Sequence, residues 1–87
     1  MREDDFRLYL QRSNLQRRPQ SDCLSRCKRV EKAYGDLQEH FAKDQLAGLL
    51  KALEDDTRIP IDGDRRTGLS SLRTAVRRYK KFCLEME

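Results

Sequence analysis

Apolar residues recur along this chain at three- and four-residue steps, with no sustained alternation of two. The spacing predicts a first helix over residues 4–12, opened by Asp4 or Asp5, whose carboxylates suit the unpaired amides of a helix N-terminus. Phe6, Tyr9 and Leu10 form its inner face. A second helix over 16–34 carries Cys23, Leu24, Cys27, Val30 and Tyr34 as its core stripe. Pro19 is tolerated there because it falls in the first turn, and Gly35 is placed as a left-handed stop. A third helix is expected over 43–54, capped by Asp44, with Leu46, Leu49, Leu50 and Leu53 repeating and Leu37 and Phe41 leading into it. The stretch "EDDTRIPIDGDRRTG" is too polar and too rich in Pro and Gly for regular structure. It predicts an irregular loop over 55–68, with a turn at "IDGD" and Ile59 and Ile61 tucked against the core.

The fourth helix, expected over 69–85, has the sharpest division of faces. At 100° per residue, Leu69, Leu72, Ala75, Val76, Tyr79, Phe82, Cys83 and Met86 gather on one arc. Arg73, Arg77, Lys80 and Lys81 gather on a second arc beside it, and Arg78 falls on the far edge. No Asn-Gly or Asp-Gly turn joins two β-branched runs, and no internal repeat is present. The pattern is that of an all-α protein.

Length and composition set the scale of that fold. With 87 residues, 37% hydrophobic and 39% charged, the chain is expected to form one helical domain over 1–87 with a modest core. No stretch approaches the ~20 apolar residues that span a bilayer, and the N-terminal "MREDDFRLYL" has no secretory apolar segment, so a cytoplasmic protein without a membrane partner is expected. Three cysteines, an odd number, argue for reduced thiols.

The net charge of +4 is mild, but it is unevenly spread. Residues 1–35 hold nine Lys/Arg against five Asp/Glu, residues 36–66 five against eight, and residues 67–87 five against two. Basic ends around an acidic middle give a one-sided field if the ends meet in space.

Candidate chemistry narrows quickly. Cys23, Cys27, Cys83 and His40 make a four-ligand zinc set on paper, yet Cys-x3-Cys within a helix is no zinc-knuckle spacing and a thiol on an apolar stripe behaves as a small hydrophobe. The acidic loop lacks the calcium-loop register of alternating Asp with a closing Glu. Glu31, at the rim of a core stripe among cations, reads as a salt-bridge partner rather than a catalytic acid. The glycines are too dispersed for a phosphate loop, and no nucleophile–base motif is present. No enzyme, cofactor or metal is therefore expected.

A resemblance enters with "LQRRPQSDCLSRCKRVEKAYG". This stretch resembles the second-helix segment of the SAM-like core-binding domain of tyrosine recombinases and phage integrases, with Leu15, Leu24 and Cys27 fitting its pattern. "FRLYLQRS" resembles the family's first helix and "SSLRTAVRRYKKFC" its last. The resemblance implies a compact four-helix orthogonal bundle of SAM-like type. Gln16, Pro19 and Cys23 stand where the family prefers Ser, Thr and Tyr, and the chain has no room for the catalytic domain. Strand cutting is therefore not implied. In that family the second and last helices face DNA, which implies Arg18, Lys28, Arg29 and Lys32 on one helix and Arg73, Arg77, Lys80 and Lys81 on the other.

Such residues act by neutralising phosphates, which predicts weakly sequence-specific binding to duplex DNA. Two other classes fit the same sequence. One is a small inhibitor or adaptor from a phage or mobile element, of anti-CRISPR or anti-restriction type, that binds a protein of a nucleic-acid machine. Its exposed patch would draw on Phe6, Tyr9, Ile59 and Ile61. The other is a structural subunit, a dimer in which Tyr79, Phe82 and Met86 pack across a symmetry axis instead of into a single core; apart from that reading, a monomer or weak homodimer is expected. The plain alternative is that a highly charged chain has basic helix faces because its surface must be polar.

Overall fold

The computed structural model describes residues 1–13 and 16–86, so Leu15 of the recombinase-like pattern lies outside the described residues. Among them are five helices and no strand: α1 (Glu3–Arg12), α2 (Arg17–Tyr34), α3 (Leu37–Asp44), α4 (Ala47–Ala52) and α5 (Arg65–Met86). The all-α expectation holds. No helix among the described residues is long and apolar enough to cross a membrane.

Each helix follows from local chemistry. In α1, Glu3, Asp4 and Asp5 occupy the first turn and Arg12 the last, an order that complements the helix dipole. Neither Asp4 nor Asp5 is the cap, however: Arg2 holds that position without a capping side-chain bond, its guanidinium donating instead to Asp5 at 3.1 Å, and the acids act through charge. Pro19 is the third residue of α2, where its missing N–H costs no helical bond. At the other end Gly35 takes φ 94°, open to glycine and unfavourable for other residues, and its N–H donates to the Glu31 carbonyl at 2.8 Å.

The third and fourth expected elements need correction. In place of one helix over 43–54 the chain makes α3 and α4, broken at Gln45 (φ 56°) and Leu46 (φ 70°). The break lets Leu37, Phe41, Leu46, Leu49 and Leu53 all reach the core, which a straight helix through these positions would not allow. Asp44 still caps α4, but from the last turn of α3: its carboxylate accepts from the Gly48 N–H at 2.9 Å. The loop expected over 55–68 ends at Asp64. There Asp64 accepts from the Thr67 amide at 3.3 Å and hydroxyl at 2.8 Å, capping α5 four residues before the expected start.

The core sits where α1, α2 and α5 meet. Phe6, Tyr79 and Phe82 pack ring against ring at centroid distances of 5.0 to 5.4 Å, and all three are fully buried. Tyr79 and Phe82 are thus satisfied within the chain, which removes them from the expected dimer contact. Ile59 is buried and Ile61 half-buried against the core, as the sequence predicts. The fold is flattened, with extents of 32 × 30 × 16 Å.

Candidate nucleic-acid interface

The pairing of α2 with α5 decides where the cations point. Cys23 and Cys27 lie over the Ala75 carbonyl, their sulfurs 3.9 and 3.5 Å from its oxygen. Pro19, Asp22, Cys23 and Arg26 of α2 border one seam depression of about 210 Å³ with Thr74, Ala75 and Arg78 of α5. Nearer the other end, Arg26 and Arg29 face Gly68, Ser71 and Leu72, with Ile61 and Asp62 beside them. The two helices therefore run antiparallel, as one layer with the core on one side and solvent on the other.

At 100° per residue, that packing fixes the direction of every cation. On α2, Arg18, Arg29 and Lys32 are exposed on the outer side of the layer. Lys28 turns toward α1, where its Nζ lies 3.2 Å from Glu3. On α5, Arg77 and Lys81 are exposed on the same outer side. Arg73 and Lys80 are half-buried on the flank of α5 away from α2, with the Arg73 guanidinium donating to the Leu53 carbonyl at 3.3 Å. Five of the eight candidate residues thus share one side, and three do not.

Sequence reasoning missed the residues that join the two sets. Arg26 and Arg78 are half-buried and line the seam itself. The signal was present: each is spaced three or four residues from buried positions of its own helix, Cys23 and Val30 for Arg26, Ala75 and Phe82 for Arg78. A cation in that register borders a helix–helix contact rather than open solvent. Arg58 was missed as well. Its guanidinium lies 5.4 Å from the Tyr34 ring centroid, and with Arg29 and Lys32 it rims a groove of about 580 Å³ floored by Ala33, Ile59 and Pro60. Arg29 is held in place by its bond to the Pro60 carbonyl.

Little inside the molecule neutralises this side. Among the described residues, no ion pair engages Arg18, Arg26, Arg29, Lys32, Arg77, Arg78 or Lys81. The pairs that do form cluster around α1 and the chain start, where the Met1 ammonium meets Glu31 at 2.8 Å and also Asp36. Glu31 additionally accepts from the Leu37 amide at 3.0 Å, the salt-bridge role its position predicts. Asp22 is the carboxylate in the seam, and Asp62 borders the Arg58 groove.

The segment between α4 and α5 is organised by Asp56, which sequence reasoning left in a solvated loop. It is buried, and its carboxylate accepts from the Tyr34 hydroxyl, the Arg58 amide at 3.1 Å and the Ile59 amide at 2.9 Å. Burial opposes its charge, yet these bonds and the nearby Arg65 hold the carboxyl below its ordinary value. The Tyr34 hydroxyl is pushed up by burial and by that carboxylate. Asp56 thereby fixes both the loop and the aromatic ring on which Arg58 rests.

The paper zinc set does not converge on one point. Cys83 lies 3.6 Å from the Gln38 side-chain oxygen, His40 is 2.8 Å from the Tyr34 carbonyl, and Cys23 and Cys27 are against Ala75. Among the described residues, no group of three or more His, Cys, Asp or Glu is arranged to hold a metal ion. Comparison with family models, curated proteins and solved structures gives no match.

Proposed function

We propose that this chain is a non-enzymatic module that binds duplex DNA with the outer side of its α2–α5 layer. The observation that carries the reading is the run of unpaired cations across both helices, with Arg26 and Arg78 between them at the seam. Helices of 18 and 22 residues are about 27 and 33 Å long, enough to follow several phosphates. The SAM-like recombinase resemblance points to the same two helices. The aromatic side chains favour a duplex over a single strand: Phe6, Phe41, Tyr79 and Phe82 are buried, Tyr9 packs on the core, and Tyr34 lies beneath Arg58. None of them offers the open face on which unpaired bases stack. Among the described residues, no Arg or Gln is marked out as a base-edge reader, so weak sequence specificity is expected.

The test is fluorescence-anisotropy titration of a mixed-sequence duplex. Arg77→Glu with Lys81→Glu should weaken binding at least about tenfold with helicity unchanged. Lys43→Glu with Lys51→Glu makes the same charge change on α3 and α4 and should cost far less. Equal losses from the two pairs would reduce the effect to net charge and overturn the assigned face.

A second reading rests on the Arg58 groove. A cationic rim over Ala33, Ile59 and Pro60 suits an acidic, partly apolar segment of a protein partner, as an inhibitor or adaptor would require. On that reading a partner captured from cells stays bound after nuclease treatment and is lost on Arg58→Glu.

A further inference from the structure

The α2–α5 seam and the Arg58 groove are continuous. Arg26 borders both the depression of about 210 Å³ beside Arg78 and the next one, of about 220 Å³. Arg29 and Asp62 in turn border that second depression and the Arg58 groove of about 580 Å³. The three therefore lie end to end along one flank of α2, as a single trough. From Pro19 at one end to Ala33 at the other, the helix rises about 21 Å. We propose that this trough is a track for one sugar–phosphate strand of a duplex, laid lengthwise along α2 from Arg78 to Arg58. The inference rests on the DNA reading and adds to it the direction in which the duplex lies.

Charge placement carries the argument. Arg26, Arg29 and Lys32 follow one another along α2 at steps of about 4.5 Å of rise, with Arg78 and Arg58 across the trough near its two ends. One strand of B-form DNA carries a phosphate every ~3.4 Å of axis, and both strands together one every ~1.7 Å, so the cation spacing is nearer to that of a single strand. Among the described residues, none of these cations has an ion pair within the chain. Arg29 is already fixed by its bond to the Pro60 carbonyl, and Arg58 by the Tyr34 ring beneath it. Each guanidinium keeps further N–H donors for a phosphate oxygen. A backbone laid here meets donors that are already oriented, which lowers the entropy lost on binding.

An acidic peptide is the competing occupant. Room for its apolar side chains lies at the Arg58 end, whereas the cations continue through the two smaller depressions. A strand with charge at every step uses the whole trough. The Ser71 hydroxyl on the α5 wall adds an uncharged donor of the kind that contacts phosphates. Asp22 and Asp62 also border the trough and oppose phosphate there. Neutralising them should therefore tighten binding.

The deciding experiment reads the strands separately. Anisotropy titrations use one mixed-sequence duplex in three forms: both strands as phosphodiesters, one strand replaced by neutral methylphosphonate, and both replaced. A lengthwise track keeps the one-strand form within about fivefold of the parent duplex, because the charged strand still fills it, and loses at least about a hundredfold with both strands neutral. A one-strand form that binds as poorly as the fully neutral duplex would overturn the track and leave the DNA reading standing. No binding to the charged duplex would remove the DNA reading itself, and the track with it. On the protein side, Arg26→Gln with Arg58→Gln should weaken binding to the one-strand form at least about tenfold, with helicity unchanged. Asp22→Asn with Asp62→Asn should tighten it severalfold. Glu39→Gln with Glu54→Gln makes the same charge change at exposed positions outside the trough and should shift affinity less than about twofold. Equal tightening by the two acid pairs would overturn the track. Parent affinity in the Arg26, Arg58 variant would do the same and assign the Arg58 groove to a protein partner.

Discussion

Asp56 shows how one residue can organise a stretch that composition marks as irregular. Its carboxylate satisfies two successive backbone amides and a tyrosine hydroxyl, and its own carbonyl accepts from Arg65 at 2.9 Å. Because its folded pKa lies below the unfolded value, it contributes stability above the ordinary carboxylate range of ~3.9. That contribution disappears as pH falls through the folded value. Asp56→Asn should lower stability by about 1–3 kcal/mol at neutral pH, or roughly 4–8 °C in Tm per kcal/mol. The gap between variant and parent should narrow below about pH 4. Circular-dichroism melts across that range check it, and a gap independent of pH would count against the carboxylate's role. The motif was partly legible: an Asp followed by amides two and three positions on is a familiar turn-former. What the sequence did not reveal was that Tyr34, 22 positions away, would close over it.

At the scale of elements, the meeting of α5 with the preceding loop depends on a missing side chain. A Cβ built at Gly68 would come within 2.3 Å of Ile61 Cγ2, so the loop lies against bare helix backbone. Gly→Ala in a helix ordinarily gains about 1 kcal/mol. Here Gly68→Ala should instead cost about 1–3 kcal/mol, and the loss should largely vanish in an Ile61→Ala background. A stabilising Gly68→Ala in the parent chain would show that the loop is not interlocked. Amphipathic spacing made α1, α2 and the inner face of α5 readable. The α3–α4 break was hidden because the chain turns at Gln45 and Leu46, which carry no glycine to mark a positive φ. The early start of α5 was hidden because Asp64 precedes two arginines and a threonine rather than an apolar run.

For the whole molecule, the basic ends of the chain do come together, because α2 and α5 form one layer. The sequence anticipated that the ends would meet but placed more residues on the shared side than the structure does, since Lys28 turns to Glu3 and Arg73 and Lys80 lie half-buried on the other flank of α5. Helix periodicity gives a residue's angle around its own axis, not the neighbour that angle will meet. If about five phosphates are neutralised, the logarithm of affinity should fall against the logarithm of salt with a slope of about −4 to −5. The Arg77→Glu, Lys81→Glu pair should make that slope shallower by about 2. Titrations at several salt concentrations measure it, and a flat dependence would exclude phosphate neutralisation as the source of binding.

The same layer has a consequence for how the protein is made. The Arg2 amide donates to the Tyr79 hydroxyl at 3.0 Å, Phe6 packs on Phe82, and both α2 thiols lie over Ala75. Every one of those partners lies in α5 and is translated after α1 and α2. On the ribosome α1 and α2 wait with their apolar stripes uncovered, for several seconds at ordinary elongation rates, until α5 clears the exit tunnel. Folding thus waits on α5, and the nascent chain is most exposed to chaperones and proteases in the interval before that helix arrives.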